Sequence, residues 1–142
     1  MDRGIVSKKD AFVFEIESTG ARVSFTIISG GNFTEFEPDI FPNDDIPTGA
    51  WTHVAATFDG TTTTLYINGQ AVASQVSPLT SLGNSTEPYY AGWTSHAPFG
   101  VDRYFDGRID EIAVYDRALS AIEVQQRYEE GLNNLGYCQP EN

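Results

Sequence analysis

Tyr89, Tyr90, Trp93, His96, Phe99 and Tyr104 crowd one short stretch of this chain. Aromatic faces stack on the apolar faces of sugar rings, and Asn, Asp or His side chains beside them bind the hydroxyls. An exposed cluster of this kind therefore suits a glycan. Trp93 and Tyr90 are the candidates within it, and His53, two residues after Trp51, would join them if it lines a concave surface. The same side chains are also ordinary core material, because alternate members of a strand over Tyr89–Trp93 must point inward. His53 has the alternative of sitting exposed or hydrogen-bonded within its sheet, and Trp51 is expected in the core. Glu15 and Glu17 stand two apart, so a strand puts both on one face. Two carboxylates at a defined separation are what cleavage of a glycosidic bond requires.

Other chemistries find little support in the residues. With only His53 and His96 present, a three-His zinc site is impossible, and no mixed ligand set has suitable spacing. Cys138, the single cysteine, lies near the C-terminus and cannot form an internal disulfide, although it could cross-link two chains. No nucleophile elbow and no phosphate-binding glycine loop occurs. Asp39, Asn43, Asp44 and Asp45 form an acidic loop whose spacing does not fit an EF-hand, which also demands a central Gly and a final Glu. That loop reads as solvated. Asp102 and Asp106 flank the aromatic stretch, where a weak calcium site is conceivable.

The charge balance narrows the partners. Eight basic against 20 acidic residues give a formal net charge of −12. Nucleic acids and anionic membrane surfaces are disfavoured, because both are bound by clustered Lys and Arg. No run approaches the ~20 apolar residues of a membrane-spanning helix, and residues 1–10 lack the apolar core of a signal peptide. A hydrophobic fraction of 40% with 13% aromatic residues is that of a folded chain, and 142 residues suffice for one domain.

The elements that must position these residues are short and extended. Phe12, Phe14 and Ile16 alternate with Val13, Glu15 and Glu17. After a turn at Ser18-Thr19-Gly20, Val23, Phe25 and Ile27 alternate with Arg22, Ser24 and Thr26. Period two marks an antiparallel strand. Gly30-Gly31 breaks the chain before Phe33–Phe36, and residues 38–49 form a proline-rich loop. Trp51–Phe58, Thr63–Ile67 and Gln70–Ser74, joined by Asp59-Gly60 and Asn68-Gly69, predict a three-stranded meander. Residues 77–88 read as loop, Tyr89–Trp93 as a strand, 94–104 as loop, and Ile109–Tyr115 as a strand. Ser120 and Glu123 form a capping box for one helix, with Leu119 stapled on Val124, an apolar side of Ile122, Val124 and Tyr128, and Gly131 as its end. Many strands and one late helix predict an all-β fold of two packed layers over 1–142, a single domain.

Two blocks make the reading more specific. Phe105-Asp106-Gly107-Arg108-Ile109-Asp110-Glu111-Ile112-Ala113-Val114-Tyr115-Asp116-Arg117-Ala118-Leu119-Ser120 follows Trp51-Thr52-His53-Val54-Ala55-Ala56-Thr57-Phe58-Asp59-Gly60 and Leu65-Tyr66-Ile67-Asn68-Gly69-Gln70. In this order they resemble the laminin-G-like domains of the concanavalin A-like lectin/glucanase superfamily, from about Ile5 to Tyr128. The resemblance implies a jelly-roll β-sandwich of two antiparallel sheets with one short C-terminal helix, with Ile112 and Val114 pointing between the layers. It implies a noncatalytic binding module, not an enzyme, working outside the cell or at its surface on a glycan. The rival is a protein-binding adhesion or structural module that oligomerises, and a weaker one a glycoside hydrolase relative. The superfamily's hydrolases carry three acidic residues at alternate positions, and no third acid extends Glu15-Ile16-Glu17. Asp110 matches a residue that helps hold structural Ca2+ in many relatives, or else it caps a turn. Family members usually begin with a further Trp-bearing strand before the Ile5-Val6-Ser7-Lys8 segment. The resemblance thus implies an uncovered sheet edge, closed by a partner subunit as in a homodimer or by the tail Leu132–Tyr137.

Overall fold

The computed structural model describes residues 3–17, 22–38, 46–96, 101–133 and 135. In chain order the strands are β1 (Arg3–Lys8), β2 (Phe12–Ile16), β3 (Val23–Ser29), β4 (Asn32–Phe36), β5 (Val54–Phe58), β6 (Thr62–Ile67), β7 (Gln70–Val76), β8 (Tyr89–Ala91), β9 (Trp93–His96) and β10 (Val101–Tyr104). The helix α1 (Ala121–Leu132) follows. They form a five-stranded sheet of order β4-β3-β2-β1-β8, a three-stranded sheet β5-β6-β7, and the hairpin β9-β10, with every described pairing antiparallel. The predicted all-β class with one late helix is what the chain adopts.

Alternation sets the faces. Register pairs Phe14 with Phe25 and Phe25 with Phe36, so these rings share one side of the five-stranded sheet. With Ile5, Phe12, Ile16, Val23 and Ile27 they meet Leu65 of β6, and Val54, Ala56, Phe58 and Ile67 pack around that cluster. Ile27 and Leu65 are both 1% exposed. Burying a side chain of this size contributes about 1.5–3 kcal/mol. The meander behaves as its turns predict. Asn68 and Gly69 both take positive φ, 49° and 76°, the backbone of a tight turn whose twist matches the flanking strands. Asp59 accepts from the amides of Thr61 (2.9 Å) and Thr62 (2.7 Å), which fixes the other turn and lowers its carboxyl pKa.

Four expectations are corrected. Residues 94–104 do not form a plain loop, because β9 and β10 pair as a hairpin within them. The strand over Tyr89–Trp93 is broken by Gly92, whose φ of 71° turns the chain out of the five-stranded sheet. Residues Ile109–Tyr115 make no ladder with any of the described residues. There Asp110 Oδ1 accepts the Glu111 amide at 2.9 Å and Glu111 takes a φ of 53°, so a local bond replaces pairing. Ile112 and Val114 are accordingly 43% and 45% exposed and do not point between the layers. Trp51 lies before β5, not in it, and is 67% exposed, not core.

The helix starts as read and ends later. Ser120 Oγ accepts from the Glu123 amide at 3.3 Å, and Glu123 accepts in return from the Ser120 amide at 2.8 Å. Arg117 donates to the same carboxylate at 3.0 Å, and with the Ser120 bonds it lowers the Glu123 pKa to about 2. Val124 is buried, but Ile122 faces solvent. Gly131 lies inside α1, and Asn133 caps the end by donating from Nδ2 to the Glu129 carbonyl at 2.8 Å.

Candidate functional site

The outer face of the five-stranded sheet carries Val13, Glu15, Ser24 and Thr26 by register. A solvent-facing side would be expected for so polar a set, yet Glu15, Ser24 and Thr26 are all 0% exposed. The β9–β10 hairpin packs on the neighbouring strand β1 and reaches Glu15 through Arg103. Its path crosses Gly4, the cross-strand partner of Glu15. A Cβ at Gly4 would overlap the Thr94 side chain and press on the Thr94 amide, so this approach requires glycine. Ser7 Oγ ties the same strand down by donating to the Trp93 carbonyl at 3.1 Å.

Period two gives the hairpin two unlike sides. Thr94 and Arg103 are cross-strand partners facing the sheet, with Thr94 fully buried and Arg103 Nη1 donating to Glu15 Oε1 at 2.6 Å. On the opposite side Trp93 pairs with Tyr104, which is 64% exposed, and Trp93 Nε1 donates to Asp102 Oδ1 at 3.3 Å. Tyr90 meets Trp93 edge to face, with ring centroids 4.6 Å apart. Next to them Tyr89, 54% exposed, lies under the Lys8 ammonium, 4.4 Å from its ring centre.

The structure thus brings Tyr90 and Trp93 together and places His53 elsewhere. His53 precedes β5, exchanges backbone and side-chain bonds with Asn68, and its ring stands 5.9 Å from that of Tyr128 on α1. Its Nδ1 is buried without a hydrogen-bond partner among the described residues, and desolvation lowers its pKa. Asp110 is exposed on the segment before α1, where its Oδ1 accepts the local bond from the Glu111 amide. The loop residues Asp39, Asn43, Asp44 and Asp45, with Phe99 and Cys138, lie outside the described residues, as does the side chain of His96.

Arg103 and Glu35 were missed by sequence reasoning, and Asp102 was read there only as one flank of a weak calcium site. Arg103 and Asp102 take opposite roles on one strand, a division that the alternation Val101-Asp102-Arg103-Tyr104 would have shown had β10 been recognised. Glu35 on β4 lies opposite Thr26 and brings a third carboxylate to Glu15 and Glu17, with their oxygens within 4.8 Å of one another. No run along β2 could reveal it, because it arrives from another strand. These acids could hold a metal ion.

A second feature is a cleft of about 810 Å³ between the inner face of the five-stranded sheet and β5. Residues 105–117 form one wall, and Trp51 stands in its lining with Phe14, Phe58 and Ile109.

Two β layers around an aromatic core, with one helix and an aromatic–acid patch on a covering hairpin, define a β-sandwich of lectin type. The chain belongs to the concanavalin A-like lectin/glucanases superfamily, whose laminin-G-type family model matches residues 1–125. None of the curated proteins matches the chain. Among solved structures it is similar to an S-layer domain-containing protein from Clostridium thermocellum, at 24% identity and a TM-score of 0.49, over 89% of this chain and 63% of that one. Among the described residues no helix is long and apolar enough to cross a membrane.

Proposed function

We propose that this chain is a noncatalytic carbohydrate-binding module, with Tyr90, Trp93 and Tyr104 as the stacking surface and Asp102 as a hydroxyl acceptor. The observation that carries the reading is the outward side of the β9–β10 hairpin. There an exposed ring, a half-buried indole and a carboxylate stand together on a fixed scaffold. Sugar rings offer one apolar face and a rim of hydroxyls, which this combination matches. His53 is left out of the site because its ring is engaged with Tyr128. Against catalysis speaks the burial of Glu15 beneath the hairpin, ion-paired with Arg103, where no glycosidic bond could lie between it and a partner acid. The reading puts the module outside the cell or at its surface, with glycan as its partner.

A glycan array probed with the whole chain tests it, followed by titration of any hit. Trp93→Ala and Tyr104→Ala should each weaken binding by about 1–2 kcal/mol, tenfold or more, without loss of fold. An array without a hit, or a hit indifferent to both changes, would refute the assignment. The open cleft favours a second reading, a module that contacts proteins. Exposed Trp51, Ile112, Val114 and Tyr115 along its wall are the apolar groups such a contact would bury. Under that reading, Trp51→Ala would weaken a partner's binding while glycan binding stayed intact.

A further inference from the structure

We infer that His53 is an acid-sensitive latch on α1: protonation of its imidazole releases the helix from the β6–β7 turn and opens the end of the cleft that α1 helps to close.

The latch stands on geometry. α1 rests so closely on the Asn68–Gly69 turn that a Cβ at Gly69 would come within 3.0 Å of the Tyr128 ring and 3.2 Å of the Gln125 Cα. Yet the helix is lightly held. Val124 is buried, while Ile122 and Leu132 face solvent, so little apolar area keeps α1 in place. His53 is fixed at the same spot from the other side. Its amide donates to Asn68 Oδ1 at 3.1 Å, its carbonyl accepts from the Asn68 amide at 2.8 Å, and its ring stands 5.9 Å from that of Tyr128. The backbone of His53 is thus tied twice to the turn, and α1 is the weaker side of the contact.

The chemistry follows from Nδ1, which is buried with no hydrogen-bond partner among the described residues. A neutral ring can keep its proton on Nε2 and leave only a lone pair at the buried atom. An imidazolium has donors at both nitrogens, so protonation puts an N–H and part of a positive charge where no acceptor stands. From α1 the ring is faced by Tyr128, and Arg127, which donates to Glu130 at 2.7 Å, lines the same cleft. Residues 105–117 bring Tyr115, Asp116 and Arg117 to that cleft, the last bound to Glu123 at 3.0 Å. The turn offers Asn68, which carries no charge. Burial alone lowers the His53 pKa, and no neighbouring carboxylate holds a proton on the ring. The imidazolium therefore gains most by reaching water, and the departure of α1 lets it do so. The N-terminal box of the helix does not compete, because Glu123 has a pKa of about 2 and keeps its charge at pH 5. Val124 and Arg127 line the cleft together with His53, so the released helix uncovers that end.

Hydrogen exchange of the whole chain at pH 7 and pH 5, corrected for the intrinsic pH dependence of exchange, reads the opening of α1. Amides from Val124 to Leu132 should exchange about tenfold more readily at pH 5. The limit is about thirtyfold, the factor by which protons favour an ordinary histidine of pKa about 6.5 at that pH. Amides of β2 and β3 should keep their protection. His53→Gln and His53→Phe place a polar and an aromatic side chain there without a titrating nitrogen, and each should abolish the difference between the two pH values. Should one of them fail to fold, the other decides. Equal protection of α1 at both pH values in the wild type overturns the latch. So does an acceleration that survives in a folded variant, or one that β2 and β3 share in full, which is acid unfolding of the whole domain.

Discussion

The two faces of β2 and β3, the strands inside the five-stranded sheet, are both buried, and they are buried by different physics. Towards β6, Phe12, Phe14, Phe25 and Ile27 form an apolar layer whose stability comes from area removed from water. Towards the hairpin, Glu15, Ser24 and Thr26 lie equally deep but polar, and the Arg103–Glu15 ion pair and the Ser24–Glu17 hydrogen bond are among the interactions that hold them. The first face tolerates small changes in shape and dislikes lost volume. The second turns on whether charges stay matched, because a buried ion is stable only while its partner remains.

Truncating one side chain on each face should separate these mechanisms. Phe14→Ala should cost about 3–5 kcal/mol in urea unfolding, the transfer loss plus a cavity. A cost under ~1 kcal/mol would mean the inner layer is not packed as described. Arg103→Met should cost about 3 kcal/mol, because it takes a guanidinium away from the buried Glu15 carboxylate. Adding Glu15→Leu to it should restore most of that stability, whereas no second change of this kind rescues Phe14→Ala. If the double variant is no better than the single one, the outer face is not governed by charge matching.

Gly4→Ala probes the same face through shape alone. Lifting the hairpin should cost about 1–3 kcal/mol and change Trp93 fluorescence, while far-ultraviolet dichroism stays β. An unchanged emission spectrum would show that β9 does not cross there. Ser120→Ala lies away from both faces and removes one N-cap bond, so it should cost only about 1 kcal/mol. The smallest effect belongs to His53. Desolvation lowers its folded pKa below the ordinary histidine value of 6.5, so the unfolded chain binds the proton more readily. Its contribution to stability is complete above pH 6.5 and is lost as pH falls from there through the folded pKa. Thermal melts of the wild type and His53→Gln, compared from pH 7.5 down to 5, should converge towards acid. Parallel curves would contradict this.

Much of the chain could be read locally. The faces of β2 and β3, the meander with its Asn68-Gly69 turn and the Ser120–Glu123 box all rest on neighbours in sequence, and the structure shows them. Errors came where a single residue turned the backbone out of its alternating pattern. Tyr90 and Trp93 were recognisable as a chemical pair, but the hairpin that displays Trp93 was not, since Gly92 redirects the strand. Ile109–Tyr115 has the alternation of a strand, yet a side chain–backbone bond at Asp110 competes with any ladder.

From the order of its amino acids alone, this chain's period-two patterning, turn residues and helix cap follow, and with them an all-β class and a lectin-like family. Which polar residues end up sealed was decided only in three dimensions. Glu15 alternates with apolar neighbours as a solvent-facing residue does, and local pattern cannot distinguish a face open to water from one that a remote strand reaches with a counter-ion. Burial is a property of what lies on top, so the meeting of Arg103 with Glu15, and of Glu35 with both acids of β2, exists only once the strands are stacked.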